Sequence, residues 1–298
     1  MSSTTPEAGL TRQSRVRGCL LGGAVGDALG APVEFLRSSE IRAQYGERGI
    51  TQFAPAYGGL GRITDDTQMT LFTAEGLLRA WVRGRTRGIT TYTGVTARAY
   101  GRWLATQGAG TALDGAAEDG WLARHTELHA CRAPGNTCLS ALRRASDDDP
   151  ANNDSKGCGG VMRMAPVGLF AATIGDRMPP EETFDLGCKL AALTHGHSSG
   201  QLPAGVLAVA IRELTLGTEL AGALTTAMDC LRECPDHDET LVALERADGL
   251  VAAGTPRADA VAHLGAGWVA EEALAIAIYC ARVADDFADG VCLAVNHD

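Results

Sequence analysis

Aromatic residues are scarce: Phe, Trp and Tyr together make up 5% of the 298 residues. Alternating runs of β-branched residues are also missing, which argues against an all-β fold. Basic charge is in deficit. Lys plus Arg number 26 against 36 Asp plus Glu, a net charge of −10. So acidic a chain is a poor polyanion binder, and no nucleic-acid partner is expected. Nine cysteines (19, 131, 138, 158, 188, 230, 234, 280 and 292) contain no CxxC pair. The apolar run Leu20–Gly26 is cut by Asp27 far short of a membrane span, so no membrane partner is expected. Residues 1–10 are polar and lack the apolar stretch of a signal peptide. With an odd, scattered cysteine set, this predicts reduced thiols and a cytoplasmic location.

What is abundant is small. The chain holds 49 Ala and 37 Gly, and Ala favours helix. Helical patterns are predicted at 12–30, 66–82, 90–106, 137–146, 182–194, 200–215, 218–232, 238–252, 258–264 and 268–295, the last broken near Asp285. The intervening stretches 46–62, 107–120, 147–160, 175–181, 233–237 and 253–257 are rich in Gly, Pro, Asp or Asn. Many helices with few strand signals predict an all-α domain over 12–298 behind a flexible N-terminus, 1–11. No repeat period appears, so a solenoid is not expected. In the first helix Gly18, Gly22, Gly26 and Gly30 recur every four residues, a smooth stripe for a close neighbour. No strand precedes Gly22-Gly23-x-x-Gly26, so it does not read as a dinucleotide-binding turn.

Four constellations could carry chemistry. In Gly61–Thr70, Asp65 and Asp66 lie between Thr64 and Thr67 at a helix start. One reading is a capping box with Asp65 as N-cap and Gln68 three residues on. The other is a hard-oxygen cluster suited to Mg²⁺, Mn²⁺ or Ca²⁺. In Gly26–Glu34, Asp27 is one charge in an apolar helix and needs a partner or a cation if buried. Glu34 follows Pro32 at a helix end. Ser155–Arg163 places three glycines within four residues, which frees N–H groups for a phosphate or simply makes a turn. Leu193–Ser199 carries His195 and His197 at a helix end, either as caps or as a substrate-contacting loop.

Two further patterns read as structural. His125-Thr-Glu-Leu-His129 misplaces its Glu for a zinc protease and predicts an exposed helix face. Arg79, Arg83, Arg85 and Arg87 suit the dipole of a helix C-terminus.

Five segments in order resemble the ADP-ribosylglycohydrolase family, of the dinitrogenase reductase-activating glycohydrolase and ADP-ribosyl-acceptor hydrolase type. They are Gly22–Glu34, Thr64–Thr67, Gly157–Arg163, Leu193–His195 and Gly267–Leu274. The resemblance implies a compact single-domain, multi-helix all-α fold with a central cleft. It implies hydrolysis at C1″ of ADP-ribose attached to a protein side chain or small acceptor, so an ADP-ribosylated protein or ADP-ribose-containing small molecule is the expected partner. It implies two Mg²⁺ (or Mn²⁺) ions, with Thr64, Asp65 and Asp66 as ligands. Glu34 would lie near the metals and the ribose. Ser155, Gly157, Cys158 and Gly159 would cradle the diphosphate, His195 would contact the ribose region, and Trp268 would flank the adenosine. Glu34 or Asp65 would accept the proton of the attacking water.

In that family the stretch after Asn296-His-Asp298 continues Gly-Asp-Ser/Thr-Asp-Ser/Thr and completes the metal site. The sequence given stops at Asp298. The expectation is weak metal binding and poor turnover by these 298 residues, with a non-catalytic ADP-ribose-binding module as the alternative.

Overall fold

The computed structural model describes residues 10–108, 120–145 and 149–298. Thirteen α-helices run in order through them. They are α1 (Arg12–Gly30), α2 (Ser38–Tyr45), α3 (Asp65–Arg87), α4 (Tyr92–Thr106), α5 (Asn136–Arg144), α6 (Ala165–Ile174), α7 (Pro180–Ala192), α8 (Ser198–Leu216), α9 (Leu220–Arg232), α10 (Asp238–Ala252), α11 (Arg257–Leu264), α12 (Ala270–Val283) and α13 (Phe287–Val295). The strands among the described residues form one two-stranded antiparallel hairpin, β1 (Pro55–Ala56) and β2 (Gly59–Leu60). The all-α expectation holds.

Helix α8 is the hub, because both of its faces are apolar. Ala204 and Ala208 face a core built from α3, α4, α6 and α7, with Phe72, Tyr100, Trp103 and Leu190 fully buried. Val206, Val209 and Ala210 face a second core shared with α9, α10, α11 and α12. The abundance of Ala and Gly becomes intelligible here. Small residues bring the helices close: a Cβ on Gly168 of α6 would stand 2.3 Å from the Ala208 carbonyl oxygen, and one on Gly187 of α7 2.8 Å from that of Ala204. A third, smaller core ties Leu29, Val33, Ile41 and Ile50 to Val291, Cys292 and Val295 of α13. Asn296 clips this end to the loop after α2, donating to the Ile50 carbonyl and accepting from its N–H.

Several expectations need correction. Helix α3 continues to Arg87 and ends at Gly88, whose φ of 76° only glycine adopts without strain. α2 went unpredicted, and no range was predicted for α6, the helix that begins after the 155–163 loop. α6 reads Ala-Pro-Val-Gly-Leu-Phe-Ala-Ala-Thr-Ile and is buried almost all round, so it shows no polar face to reveal its period. The segment Cys158–Arg177 that contains it is long and apolar enough to cross a membrane, yet 61% of it is buried inside the protein. His125–His129 lies on two short 3₁₀ turns rather than a helix face, with the His129 ring on the Ala123 carbonyl. Of the four-residue glycine stripe on α1, Gly22 meets Phe287 and Gly30 meets Val295, while Gly18 and Gly26 face open space. Residues 1–9, most of 107–120 and 146–148 lie outside the described residues.

Gly168→Ala is expected to lower stability by about 1–3 kcal/mol, because the new methyl meets backbone that cannot move aside. Gly249→Ala in α10 faces open space and is expected to be neutral or stabilising by up to about 1 kcal/mol. Urea unfolding of both variants tests this. Equal effects would contradict close backbone approach at α8.

Candidate active site

The site begins at Asp27, the lone acid in α1. Its carboxylate accepts from four donors on the Thr64–Thr67 turn. These are the Thr64 N–H (2.9 and 3.0 Å to its two oxygens), the Thr64 hydroxyl (2.7 Å), the Thr67 N–H (3.1 Å) and the Thr67 hydroxyl (2.5 Å). A half-buried carboxylate needs such partners, and here they lock α1 to the start of α3. The capping-box reading is corrected by one residue: Thr64 is the N-cap, accepting from the Asp66 N–H, and Asp65 opens the helix. Gln68 turns into the core, donating to the Ala130 carbonyl and accepting from the Trp103 indole.

This junction forms one wall of an open cleft of about 320 Å³, within the ~300–1,000 Å³ range of small-molecule sites. Asp27, Glu34, Thr64 and Asp66 line that wall, Cys158 and Trp268 the other, and His297 and Asp298 reach the rim. Among the described residues neither Lys nor Arg lines it. Burial, then the charges of Asp66 and Asp27, push Glu34 up to about 7. Asp66 is raised by burial and by Asp27. Asp65 is raised by burial and by Asp66, against the opposing Gly135 N–H. Asp65 is only 4% exposed and does not line the cleft; its carboxylate accepts from that Gly135 N–H at 3.2 Å. Oxygen donors with surplus negative charge suit a hard divalent cation in kind. Among the described residues no three Asp, Glu, His or Cys side chains converge on one point.

The opposite wall is set by an antiparallel bridge between Gly157 and Val269. The Cys158 N–H donates to the Trp268 carbonyl (3.0 Å) and the Ala270 N–H to that of Lys156 (2.9 Å). The Lys156 ammonium joins Glu239 and, at 2.7 Å, Glu271. Two of the expected cradle donors are therefore engaged, Cys158 as above and the Gly157 N–H on the Ser155 hydroxyl (3.4 Å), which also meets that of Thr137. The glycines have a packing reason. A Cβ on Gly160 would lie 2.6 Å from the Gly200 carbonyl oxygen and one on Gly159 2.9 Å from the Cys138 sulfur. Beneath the loop, the fully buried Arg163 donates to the Gly159 carbonyl (2.8 Å), the Thr194 hydroxyl (2.6 Å) and the Tyr100 hydroxyl (3.0 Å).

His195 lies under the same loop, 1% exposed, its Nδ1 at 2.8 Å from the Thr194 hydroxyl. It supports Gly157–Gly160 and does not line the cleft. Burial and the nearby Arg163 pull it down to about 3. His197 instead caps α8, accepting from the Ser199 N–H.

Thus Glu34, Thr64, Asp66, Cys158 and Trp268 share the cleft, while Asp65, Ser155, Gly157, Gly159 and His195 stand behind it. Two neighbours were missed, Phe35 and Tyr57. Phe35 stacks on Trp268 at 6.0 Å and 21°. Tyr57, in the hairpin turn at φ 48°, is raised by burial and by the charges of Glu34, Asp65 and Asp27. Asp298 accepts from the Ser38 N–H at 2.6 Å. Only Tyr57 carried a sequence signal, as the residue before Gly58 in a tight turn.

The profile of the ADP-ribosylglycohydrolase family matches residues 8–298. The chain belongs to that family. It is 33% identical over 190 residues to the ADP-ribosyl-[dinitrogen reductase] glycohydrolase of Rhodospirillum rubrum, covering 61% of this chain and 52% of that protein. Over 69 residues it is 48% identical to an uncharacterized protein of Archaeoglobus fulgidus, 22% of each. The chain thus spans about half or less of the curated relatives it matches. A solved structure described as an "ADP-ribosylglycohydrolase-related protein complex" superposes with a TM-score of 0.59 and 25% identity, over 96% of this chain and 81% of that one.

The buried His195 generates a pH prediction. Between about 3 and 6.5 the unfolded chain holds a proton on it that the folded chain refuses, so stability falls as pH falls through that window. One proton gives a slope of at most about 1.4 kcal/mol per pH unit. Urea unfolding from pH 7.5 down to 5 should show this loss in the native chain relative to His195→Gln. Parallel pH curves would contradict a neutral, buried His195.

Proposed function

We propose that this protein is a hydrolase that cleaves the C1″ glycosidic bond of ADP-ribose joined to a protein side chain or small acceptor. The observation that carries this reading is the cleft itself: Glu34, Thr64 and Asp66 on one wall, Trp268 on the other and, among the described residues, no basic side chain between. The family, and the activity named for the Rhodospirillum rubrum relative, support it.

Breaking a ribosyl bond builds positive charge at C1″, and the acidic wall is placed to stabilise it. Glu34 takes the proton from the attacking water. The water oxygen bonds to C1″, and the acceptor departs with the electron pair of the broken bond. Asp65 was an equal candidate for this role, but its position behind the cleft on the Gly135 N–H leaves Glu34 the better placed. Thr64 and Asp66, with Asp65 behind them, are the residues that would hold Mg²⁺ or Mn²⁺, as a pair of ions. When bound, the cations supply positive charge that orients the ribose hydroxyls. Ser155, Gly157, Gly159 and His195 shape the loop that holds Cys158 against the diphosphate. Trp268 and Phe35 offer an aromatic face for the adenine. The nine cysteines are free thiols, which supports the cytoplasmic reading.

A second reading, binding without hydrolysis, is favoured by the retreat of Asp65 from the cleft. Release of ADP-ribose from peptides carrying arginine- or serine-linked ADP-ribose, in Mg²⁺, separates the two. Glu34→Gln is expected to lower kcat about 10²–10⁴-fold with ADP-ribose affinity changed only a few-fold. Unchanged turnover in Glu34→Gln would sink the assignment of the base. Absent turnover in the native chain, with ADP-ribose still bound, would favour the second reading.

A further inference from the structure

The far end of α3 carries a groove of about 600 Å³, larger than the cleft. Its walls are the last turns of α3, the connection to α4, and α4 itself, with Trp121 at one side. The start and end of α3 are well separated. From Asp65 to Arg83 is about 27 Å at 1.5 Å per residue, so the groove is distinct from the cleft.

Its charge is anomalous for this chain. Acids outnumber bases 36 to 26, and several arginines pair with carboxylates: Arg102, at the groove itself, on Glu75, and away from it Arg212 on Glu213, Arg232 on Asp229, Arg257 on Asp289 and Arg282 on Asp248. Among the described residues no Asp or Glu lines the groove. The guanidiniums of Arg83, Arg87 and Arg98 face it with no ion pair or hydrogen bond among the described residues. Arg83 and Arg87 are one turn apart on α3 and repel each other. The helix dipole accounts for Arg87, in the last turn. It gives no reason for Arg98, midway along α4.

One other feature points to a ligand. The Trp121 ring is 50% exposed on a rigid mount. The backbone N–H groups of Trp121 and Leu122 donate to one oxygen of Glu75 (2.5 and 3.1 Å), whose other oxygen takes two bonds from the buried Arg102 (2.8 and 3.0 Å). Guanidinium forks match phosphate oxygens, and an anchored indole offers a face to a flat base.

We infer that this groove is a second ligand site, for a nucleoside polyphosphate, with Arg83, Arg87 and Arg98 on the phosphates and Trp121 against the base. The inference stands apart from the reading of the cleft. It is tested by calorimetric titration of the full chain with ATP in EDTA, with ADP-ribose saturating so that the cleft is occupied. ATP is expected to bind at micromolar concentrations. The exposed-site variant Arg83→Ala/Arg98→Ala should weaken it about tenfold or more, while Arg143→Ala/Arg144→Ala, elsewhere on the surface, should not. Trp121→Leu should also weaken ATP, and inorganic triphosphate should bind less tightly than ATP and be indifferent to Trp121→Leu. Matching circular-dichroism melts exclude misfolding. Loss of ATP binding when ADP-ribose is present, equal effects of the two arginine pairs, or equal affinity for ATP and triphosphate would each overturn the proposal. Tighter binding of a single-stranded oligonucleotide than of ATP would overturn the choice of a free nucleotide.

Discussion

A carboxylate inside an apolar helix is the constraint on which the cleft depends. Asp27 is tolerated in α1 because four donors from the Thr64–Thr67 turn converge on it. Each of those bonds is to a charged acceptor, and such bonds are worth about 1.5–3 kcal/mol. They fix where α3 begins, and so where Thr64 and Asp66 stand. They also bring a third acid, Glu34, against the same wall. Carboxylates gathered this closely without a basic partner hold one another's protons more tightly. An oxygen-rich, electron-rich pocket is the consequence of the packing of α1 on α3.

The second wall has a similar logic in backbone form. The Gly157–Val269 bridge joins two segments over a hundred residues apart and puts Cys158 and Trp268 side by side. Arg163, fully buried without a carboxylate, holds the loop from below through carbonyl and hydroxyl oxygens. Helix α8, with apolar residues on both faces, carries the two halves of the molecule that these walls belong to.

Most of the helices were legible in sequence because their apolar residues recur with helical spacing. α6 was not, since burial on every side erases the period. The cluster Thr64–Asp66 was legible as chemistry, but its internal division was not. Which acid faces the cleft depends on a one-residue shift of the cap, and Gly135, seventy positions away, takes Asp65. The glycines of 157–160 were read as phosphate donors. Their tight approach to Gly200 and Cys138 is tertiary and leaves no mark in local sequence. Asp27 was visible as an acid needing a partner; its partners were not. The basic run on α3 read as a helix end, because Arg98 joins it only through the α3–α4 packing.

We propose that the Asp27-anchored acidic cleft takes ADP-ribose together with a divalent cation. The most direct measurement is calorimetric titration of the chain with ADP-ribose, first in Mg²⁺ and then in EDTA. Micromolar binding is expected in Mg²⁺, weakening at least about tenfold in EDTA, a difference of about 1.4 kcal/mol. Equal affinity in both conditions, or no binding in either, would contradict it.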